Sequence, residues 1–410
     1  MSDNYETIKE CRISNSKDLI KVLDLGLQPL ANSLKKQQFE NEDKYPLTLS
    51  FCEKSSLLQL NETIKKEILF DNYVWVTSTS STAKDYSHIF YRNIIKNIPL
   101  DKNNDLIIEI ASNDGTFLKP FVSNGFKKVF GVDPAQNISE FANRNYIHTI
   151  NEYWTEELAE NLLKNHGSAK LVFARNVIPH VSQLHSVVSG IEKILDDNGV
   201  GVFEIHDVNI IFNELHYDSV YHEHLCYFSL KSITYLLNKF DLYPFEIKRS
   251  PISGGSFVIY FSKKKKNLSK NLELAMSNEE RTRVNELSSW KNFALKVENH
   301  KSEMRKIISS FSGKKIIGFG SSARSQTFLN FCNLNENNID FIIDNNSMKQ
   351  NLYSPGTNIK IVDFEYGIKT NPDVIFILAW NFKDEIIKEC KGAGYKGEFI
   401  VPFPSKPKIL

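Results

Sequence analysis

The sequence has few cysteines, no excess of one charge and no apolar stretch long enough to cross a membrane. Its five cysteines are scattered through 410 residues and are odd in number, which excludes a disulfide framework. Lys and Arg (50) nearly cancel Asp and Glu (49), so charge favours neither nucleic acid nor an anionic membrane as a partner. The longest apolar run, Val374–Trp380, is far shorter than the roughly 20 residues of a membrane span. Because Met1–Glu6 lack the basic and apolar regions of a signal peptide, we expect a cytoplasmic protein.

The composition is that of a globular chain with several domains. Hydrophobic residues make up 41% and charged residues 24%, and 410 residues allow two or three domains of roughly 150 residues each. Four regions differ in pattern. We predict an irregular N-terminal module over residues 1–98, an α/β domain over 99–275, a linking helix over 276–312 and a second α/β domain over 313–410.

Apolar strands alternate with helices in both α/β regions, which indicates parallel sheets covered by helices on both faces. The predicted strands are Leu106–Ile110, Val129–Val132, Leu171–Ala174 and Gly201–Ile205 in the first region, and Lys315–Phe319, Phe341–Asp344 and Val374–Ala379 in the second. Between them, apolar residues at three- and four-residue steps predict one long helix over 278–311, which Gly313 ends. Two nucleotide-binding-type sheets in one chain are therefore the main feature of the predicted fold.

The first sheet carries a turn suited to a nucleoside ligand. Small residues in Glu109–Gly115 let a ligand approach the backbone, and Asp133 at the tip of the next strand can accept both hydroxyl hydrogens of a ribose. The turn lacks the glycine spacing that brings a pyrophosphate onto a helix, and its acids repel phosphate. S-adenosylmethionine therefore fits better than NAD, although a plain strand–turn–helix remains open.

The second sheet carries a glycine-rich turn of the dinucleotide type. Gly318, Gly320 and Ala323 follow a strand, and Asp344 ends the next strand. Backbone N–H groups in such a turn can bind phosphates, and Arg324 can neutralise them. Taken alone, this motif permits an NAD-dependent oxidoreductase, and a purely structural turn also stays open.

The segment Tyr217–Phe228 concentrates groups that can move protons. If it forms a helical turn, Tyr221 and His224 lie on the same side, where an imidazole can take a proton and a phenol can donate a hydrogen bond to an enolate oxygen. Two other interpretations stay open: a metal site built from His222 and His224 with His216, and surface histidines beside an aromatic core. His180, which follows the Leu171–Ala174 strand, could reach the same crevice.

Several segments in this order resemble the nucleotide-sugar C-methyltransferase family, whose members methylate dTDP-4-keto sugars in deoxysugar biosynthesis. The resemblance is carried by Glu109–Thr116, Tyr221–His224 with Tyr227–Ser229, Gly254–Ser256, Met348–Gln350 with Ser354–Thr357, and Leu378–Asn381 with Asp384–Glu385. It covers nearly the whole chain. It implies an N-terminal zinc-type module, a central class I S-adenosylmethionine domain and a C-terminal Rossmann-like domain that holds the nucleotide sugar.

The resemblance also implies roles for individual residues. His224 would remove the proton beside the ketone, Tyr221 would steady the enolate, Glu223 would orient the cluster and His180 would assist at the sugar. The implied cofactor contacts are Glu109, Ala111, Asn113, Gly115, Asp133, Pro134 and Asn176. The implied substrate contacts are Gly255, Ser256, Gly318, Gly320, Arg324, Asp344, Lys349, Gln350, Trp380 and Asn381.

Departures from the family pattern affect the N-terminal module most. The family's two Cys-x-x-Cys pairs read Cys11–Ser14 and Cys52–Ser55 here, so each pair has lost a thiolate, and we predict no structural zinc and no other metal. Tyr73–Trp75 replaces the family's paired tyrosines, and Ala111 replaces a glycine. The sugar and the methylated position stay open, as do methylation of a hydroxyl, a non-catalytic sugar-nucleotide binding protein, and a monomer or a homodimer.

Overall fold

The computed structural model describes residues 4–70, 76–250 and 254–410. Tyr73–Trp75, which stands where the family has paired tyrosines, lies outside these residues. Among the helices in the described ranges, none combines the length and the apolar character needed to cross a membrane. The chain folds into an N-terminal module, a central α/β domain and a C-terminal α/β domain.

The N-terminal module is built on a small antiparallel sheet rather than on irregular chain. Its elements are β1 (Tyr5–Thr7), β2 (Leu19–Pro29), β3 (Lys44–Cys52), β4 (Leu57–Leu60), β5 (Glu62–Ile64) and α1 (Lys66–Phe70). Strands β2, β3 and β4 pair in sequence order, and β1 pairs with β5. A further strand from the central domain, β11 (Cys226–Tyr227), pairs with β4 and completes the sheet.

The central domain contains the predicted parallel sheet. Its other elements are α2 (Ser81–Asn97), β6 (Leu106–Ile110), α3 (Lys119–Ser123), β7 (Lys128–Val132), α4 (Gln136–Arg144), β8 (Thr149–Ile150), α5 (Glu156–His166), β9 (Ala169–Arg175), α6 (Leu184–Ile194), β10 (Leu195–His206), α7 (Val208–Glu214), α8 (Leu230–Asn238), β12 (Tyr243–Ser250) and β13 (Ser256–Ser262). The strand order is β12-β13-β10-β9-β6-β7-β8, in which β13 alone runs antiparallel to both of its neighbours. The buried apolar strands explain why the sequence pattern predicted this sheet correctly.

Helix α2 belongs to the central sheet, although it precedes residue 98. Its Tyr86, Phe90 and Ile94 are buried in one cluster with Ile107 and Phe173 of the sheet. The domain limit predicted at residue 98 therefore separates a helix from the strands on which it packs.

The prediction of one long helix over 278–311 is wrong, because the structure has two helices there, α9 (Lys270–Thr282) and α10 (Leu287–Ser310). Arg283 ends α9 in the left-handed region at φ 58°, and Glu286 is extended. The buried Val284 lies in the break, and its carbonyl accepts a hydrogen bond of 2.8 Å from the indole of Trp290. The predicted apolar stripe itself lies on α10 and in the core.

The C-terminal domain is a second α/β unit with the predicted parallel strands. Its elements are β14 (Ile316–Phe319), α11 (Ala323–Cys332), β15 (Phe341–Ile343), β16 (Lys360–Val362), α12 (Phe364–Lys369), β17 (Val374–Ile377), α13 (Lys383–Gly392), β18 (Glu398–Val401) and β19 (Lys408–Ile409). The strand order is β16-β15-β14-β17-β18-β19, and only β19 is antiparallel. The order reverses at β14, so the glycine-rich turn after β14 lies at the edge where open α/β sheets bind ligands.

Buried contacts join the N-terminal module to the C-terminal domain. The ammonium of Lys35 contacts Glu42 at 3.2 Å and the amide oxygen of Asn358, and its side chain is almost fully buried. The carboxylate of Glu42 accepts the backbone N–H of Gly356 at 2.8 and 2.9 Å. The Ser354–Thr357 motif therefore serves here as a docking surface for the N-terminal module.

Candidate active site

Tyr221 and His224 form a hydrogen-bonded pair in the loop between α7 and β11. The backbone N–H of His224 donates to the carbonyl of Tyr221 at 2.9 Å, and this turn brings the two side chains together as predicted. The phenol oxygen lies 2.8 Å from Nε2 of His224, and the ring centroids are 4.1 Å apart. The loop follows the carboxyl end of β10, the edge of the sheet at which ligands bind in open α/β folds.

The hydrogen bonds of His224 define its tautomer. Its Nδ1 lies 3.0 Å from the carbonyl oxygen of Ser219, which can only accept, so Nδ1 carries the hydrogen of the neutral ring. The lone pair is then on Nε2, where it accepts the hydroxyl hydrogen of Tyr221. The imidazole nitrogen that can take a proton is therefore the one beside the phenol.

The surroundings keep His224 neutral. Burial lowers the pKa of His224 well below its ordinary value, and His180 and Arg324 lower it further. The ring of His180 lies edge-on to His224 with centroids 4.7 Å apart, and burial lowers the pKa of His180 to about 4. Two uncharged imidazoles and a phenol thus meet at one place.

Glu223 and His222 face the N-terminal module rather than His224. The carboxyl of Glu223 accepts a hydrogen bond from the amide of Asn32, and burial raises the pKa of Glu223 to about 7. Nε2 of His222 lies 3.0 Å from the carbonyl of Pro46. Glu223 therefore holds the loop against the module. Among the described residues, no hydrogen bond joins the carboxyl of Glu223 to His224.

In the described ranges no group of three or more His, Cys, Asp or Glu side chains could hold a metal. The histidines that the sequence offered as a metal site point in different directions, since Nε2 of His222 faces Pro46 and Nε2 of His224 faces Tyr221.

The turn after β6 has the features that a nucleoside cofactor requires. Glu109 at its start is buried, and its Oε2 has no hydrogen-bond partner among the described residues. The backbone of Ala111 and of Asn113 is left-handed, at φ 52° and 51°, which explains why the family places glycine at the first position. The carboxylate of Asp133 accepts the N–H groups of Asn113 at 2.8 Å and of Ala135 at 3.0 Å. These residues fit S-adenosylmethionine, because buried acids at a phosphate-free turn can bind a cationic nucleoside.

A segment from before α2 closes over this turn. The backbone N–H of Thr77 donates to Oδ1 of Asn113 at 2.9 Å, and that of Ser78 donates to Asp114 at 3.0 Å. On the other side, Asn151 donates to the carbonyl of Pro134 at 2.9 Å. Asn176 lies apart from these residues, after β9, where it lines the cavity beside His224.

We expect Gly115→Ala to weaken S-adenosylmethionine binding at least tenfold. A Cβ at Gly115 would lie 2.5 Å from Cγ2 of Ile147, and the backbone there is left-handed at φ 75°. Gly125→Ala is the matched control, because Gly125 is also left-handed, at φ 86°, but has no atom within 4 Å of the added Cβ. This variant therefore suffers the backbone strain alone, which costs about 1 kcal/mol. Isothermal titration of both variants separates the two causes, and equal affinities would contradict this role for Gly115.

The glycine-rich turn after β14 is held by Asp344 and Lys349. Asp344 accepts the N–H of Ser321 at 2.8 Å, and the ammonium of Lys349 contacts the carbonyl of Ser321 at 2.6 Å and Asp344 at 3.5 Å. Gln350 donates to the carbonyl of Asp344 at 3.0 Å. Gly320 is left-handed at φ 97°, and a Cβ there would overlap Ala379. The close packing of these two turns is thus one reason why position 320 is a glycine. Gly318 likewise packs closely against Leu378 and Ile342.

Arg324 is paired with a buried carboxylate instead of facing an open crevice. Its Nε and Nη2 donate to Asp218 at 3.0 and 2.9 Å, and its guanidinium lies 4.7 Å from the ring centroid of Trp380. The indole of Trp380 donates to the same carboxylate at 2.9 Å. The charge predicted to neutralise phosphates is therefore balanced within the protein, and this trio joins the Tyr217–Phe228 segment to the C-terminal domain.

The remaining predicted substrate contacts are divided between the two domains. Gly254 packs beside Arg324, and Gly255, at φ 120°, leaves no space for a Cβ because of Ile210. Ser256 is buried at the start of β13, whereas Asn381 is exposed. Arg324 and Trp380 are thus close to the glycine turn at 254–256 and to the Tyr217–Phe228 segment, and Asn381 is on the surface.

Two residues of this region were given no role by the sequence. His206 ends β10 and lines a small cavity together with Asn176, His224 and Tyr227. Asp218 lies inside the segment Tyr217–Phe228 but looked like one acid among many. The position of His206 at the carboxyl end of a strand could have indicated a site residue. The sequence offers no such signal for Asp218, because its partner Arg324 is more than a hundred residues away in the chain.

The four positions of the degenerate zinc pairs converge in the N-terminal module. Sγ of Cys11 lies 3.2 Å from the hydroxyl of Ser55, and Sγ of Cys52 lies 3.4 Å from that of Ser14. A hydrogen bond from Cys11 lowers the pKa of the Cys52 thiol to about 5, although burial opposes the shift. Two thiols and two hydroxyls do not fit a closed structural zinc site, which uses four Cys or His ligands.

Family models match three consecutive parts of this chain. A model described as "Putative zinc binding domain" matches residues 11–70, a "Methyltransferase domain" matches residues 83–246, and a "C-methyltransferase C-terminal domain" matches residues 251–404. The chain is 30% identical over 419 residues to the C-methyltransferase NovU of Streptomyces niveus, an alignment that covers 100% of this chain and 99% of the relative.

Solved structures match parts of this chain at low similarity. An S-adenosylmethionine-dependent methyltransferase from Clostridium acetobutylicum is 13% identical with a TM-score of 0.36, covering 46% of this chain and 94% of that one. Magnesium protoporphyrin IX methyltransferase from Synechocystis, solved with bound S-adenosylmethionine, is 10% identical with a TM-score of 0.34, covering 48% of this chain and 89% of that one. The family assignment therefore depends on the full-length relative and the family models.

Proposed function

This chain belongs to the S-adenosylmethionine-dependent C-methyltransferase family, and from that premise we propose that it methylates a nucleotide-linked 4-keto sugar at the carbon beside the ketone. The observation that carries this proposal is the pairing of the Nε2 lone pair of His224 with the hydroxyl of Tyr221 at 2.8 Å. A carbon acceptor must lose a proton before it can attack a methyl group, and a hydroxyl acceptor does not need an enolate. A base and a phenol side by side suit the first reaction.

Residues of the turn after β6 would hold the cofactor. Glu109 and Asp133 are buried acids suited to the polar groups of the nucleoside and amino acid portions, with Asn113 and Gly115 shaping the backbone. When bound, S-adenosylmethionine supplies an electrophilic methyl group on a sulfonium. The segment of Thr77 and Ser78 covers the turn and would limit the access of water.

Proton removal reverses the hydrogen bond between Tyr221 and His224. In the structure the phenol donates to Nε2 of His224. When Nε2 takes the proton from the carbon beside the ketone, the imidazolium can donate to the phenol oxygen, and the phenol hydrogen is released to donate to the enolate oxygen. The same two side chains thus accept the proton and stabilise the negative charge that its loss leaves on oxygen. His180, edge-on to His224, would assist at the sugar.

The C-terminal domain would hold the nucleotide part of the substrate. Lys349 is partly exposed at the glycine-rich turn after β14, and its ammonium can approach a diphosphate. Trp380 offers an aromatic ring between the two domains. Arg324, balanced by Asp218, would act mainly by positioning the loop that carries His224.

The proposed function is tested by incubating the purified protein with S-adenosylmethionine and a panel of dTDP- and UDP-linked 4-keto sugars. We expect a product heavier by one methyl group, and a carbon–carbon linkage for that group in its NMR spectrum. A product methylated on oxygen, or none with any 4-keto sugar, would overturn the proposal.

We expect the acidic limb of the rate profile to lie below the ordinary histidine pKa of about 6.5. The base form of His224 is required, and burial, His180 and Arg324 lower its pKa, so kcat/KM should stay constant as the pH falls to 6.5 and decline only below it. Intrinsic fluorescence at each pH serves as the control for acid unfolding. A decline centred at or above pH 7 in folded protein would contradict His224 as the base.

A further inference from the structure

His206 stands at the carboxyl end of β10, opposite Ser256 of β13 in the sheet register. Its side chain is nine-tenths buried, yet it lines the same small cavity as His224. The cavity is also bordered by Asn176 and Tyr227. His206 therefore faces the place at which the proposed reaction occurs.

The ring of His206 has an unused polar atom. Its Nε2 is inaccessible to solvent and has no hydrogen-bond partner within residues 4–70, 76–250 and 254–410. Leaving a buried polar atom without a partner costs free energy, and such atoms in folded proteins require an explanation. Burial lowers the pKa of His206 well below its ordinary value, with further contributions from Arg324, His216 and His224. A neutral imidazole offers one donor and one acceptor, which suits an uncharged oxygen of a ligand.

His206 also begins a row of rings that leads to the C-terminal domain. Its centroid is 6.4 Å from that of His216, which lies 4.4 Å from that of Trp380. The guanidinium of Arg324 follows at 4.7 Å from the Trp380 ring. A substrate whose sugar lies at His224 and whose nucleotide lies on the C-terminal domain would pass this row.

We propose that His206 is a substrate-binding residue that hydrogen-bonds a hydroxyl group of the sugar ring through Nε2, an inference that rests on the proposed function. The contact is present in the ground state and in the transition state alike, because the hydroxyl takes no part in the proton transfer. Its loss should therefore raise KM and leave kcat nearly unchanged.

The test compares His206→Phe, which keeps a planar ring without nitrogen, with His206→Gln, whose amide nitrogen reaches the position of Nε2. For His206→Phe we expect a KM for the nucleotide sugar about tenfold higher, with unchanged kcat and S-adenosylmethionine affinity. For His206→Gln we expect most of the loss to be restored. The melting temperature of His206→Phe should equal or exceed that of the wild type, because the unpartnered nitrogen is gone.

His300→Phe is the matched control, since His300 is also buried but has both ring nitrogens partnered, by the hydroxyl of Tyr217 at 3.0 Å and by the carbonyl of Pro402 at 2.8 Å. We expect it to lower the melting temperature without changing KM. An unchanged KM in His206→Phe, or an equal loss of melting temperature and cofactor binding in both His206 variants, would overturn this assignment alone. A wild type without activity on any nucleotide sugar would overturn the proposed function and this inference with it.

Discussion

His224→Gln should lower the rate of carbon methylation by about 10²–10⁴-fold while S-adenosylmethionine binds as in the wild type. The lone pair on Nε2 of His224 faces the hydroxyl of Tyr221, and the nitrogen of a glutamine amide at that position is not a base. The turn at Glu109–Gly115, which we propose holds the cofactor, follows a different strand of the sheet and should be unaffected. Single-turnover measurement of methyl transfer, with titration of cofactor binding, separates the two steps.

His222→Gln is the control for this prediction. His222 lies two residues away in the same loop, but its Nε2 faces the carbonyl of Pro46 in the N-terminal module, and a glutamine amide can keep that hydrogen bond. Methylation by this variant should remain within a few-fold of the wild type. Comparable losses in both variants would mean that the loop as a whole, and not the base, had been disturbed.

Asp218→Asn should lower the free energy of unfolding by about 3–5 kcal/mol, the usual cost of removing one partner of a buried ion pair. The carboxylate is 2% exposed and accepts from Arg324 at two nitrogens and from the indole of Trp380. An amide would leave the guanidinium of Arg324 without a counter-charge where the Tyr217–Phe228 segment meets the C-terminal domain. Calorimetric melting of the variant measures the effect.

A double variant and an exposed pair sharpen this test. Asp218→Asn with Arg324→Gln removes both charges, so its loss of stability should be smaller than the sum of the two single losses. Glu365→Gln breaks the exposed pair with Lys369 and should change stability by no more than about 0.5 kcal/mol. Additive losses in the double variant would show that Asp218 and Arg324 do not depend on each other.

The sequence predicts the two α/β domains well because their strands are continuous apolar runs that match buried parallel strands. Leu106–Ile110 is buried at every position, and so is Val374–Ile377. The long helix over 278–311 was wrong for a local reason. The predicted span extends across Arg283 although its apolar stripe lies wholly after that residue, and no periodicity can indicate the left-handed backbone of Arg283. The sheet of the N-terminal module was not predicted because its strands alternate with polar linkers and share no strong period, and only its edge strand β11 comes from another domain.

The candidate site was predictable where neighbours in sequence make the contact. Tyr221 and His224 are three residues apart, so a single turn joins them. The partners of Glu223 and Arg324 could not be found in this way, because Asn32 and Asp218 are far from them in the chain. Glu223 was therefore expected to orient the cluster around His224 and Arg324 to neutralise phosphates, whereas the structure shows both side chains joining parts of the protein. His206, at the end of a strand, could have been found by position alone.

Exchange of the substrate proton with deuterated water tests the central claim most directly. A nucleotide-linked 4-keto sugar is incubated with the protein and S-adenosylhomocysteine, so that the enolate forms but no methyl group is available, and the NMR signal of the hydrogen beside the ketone is followed. Removal of that hydrogen by His224 predicts its loss with the wild type and its persistence with His224→Gln and without protein. Exchange of this hydrogen at the same rate with His224→Gln would contradict the account. So would a wild type that methylates the substrate but does not exchange this hydrogen with deuterated water.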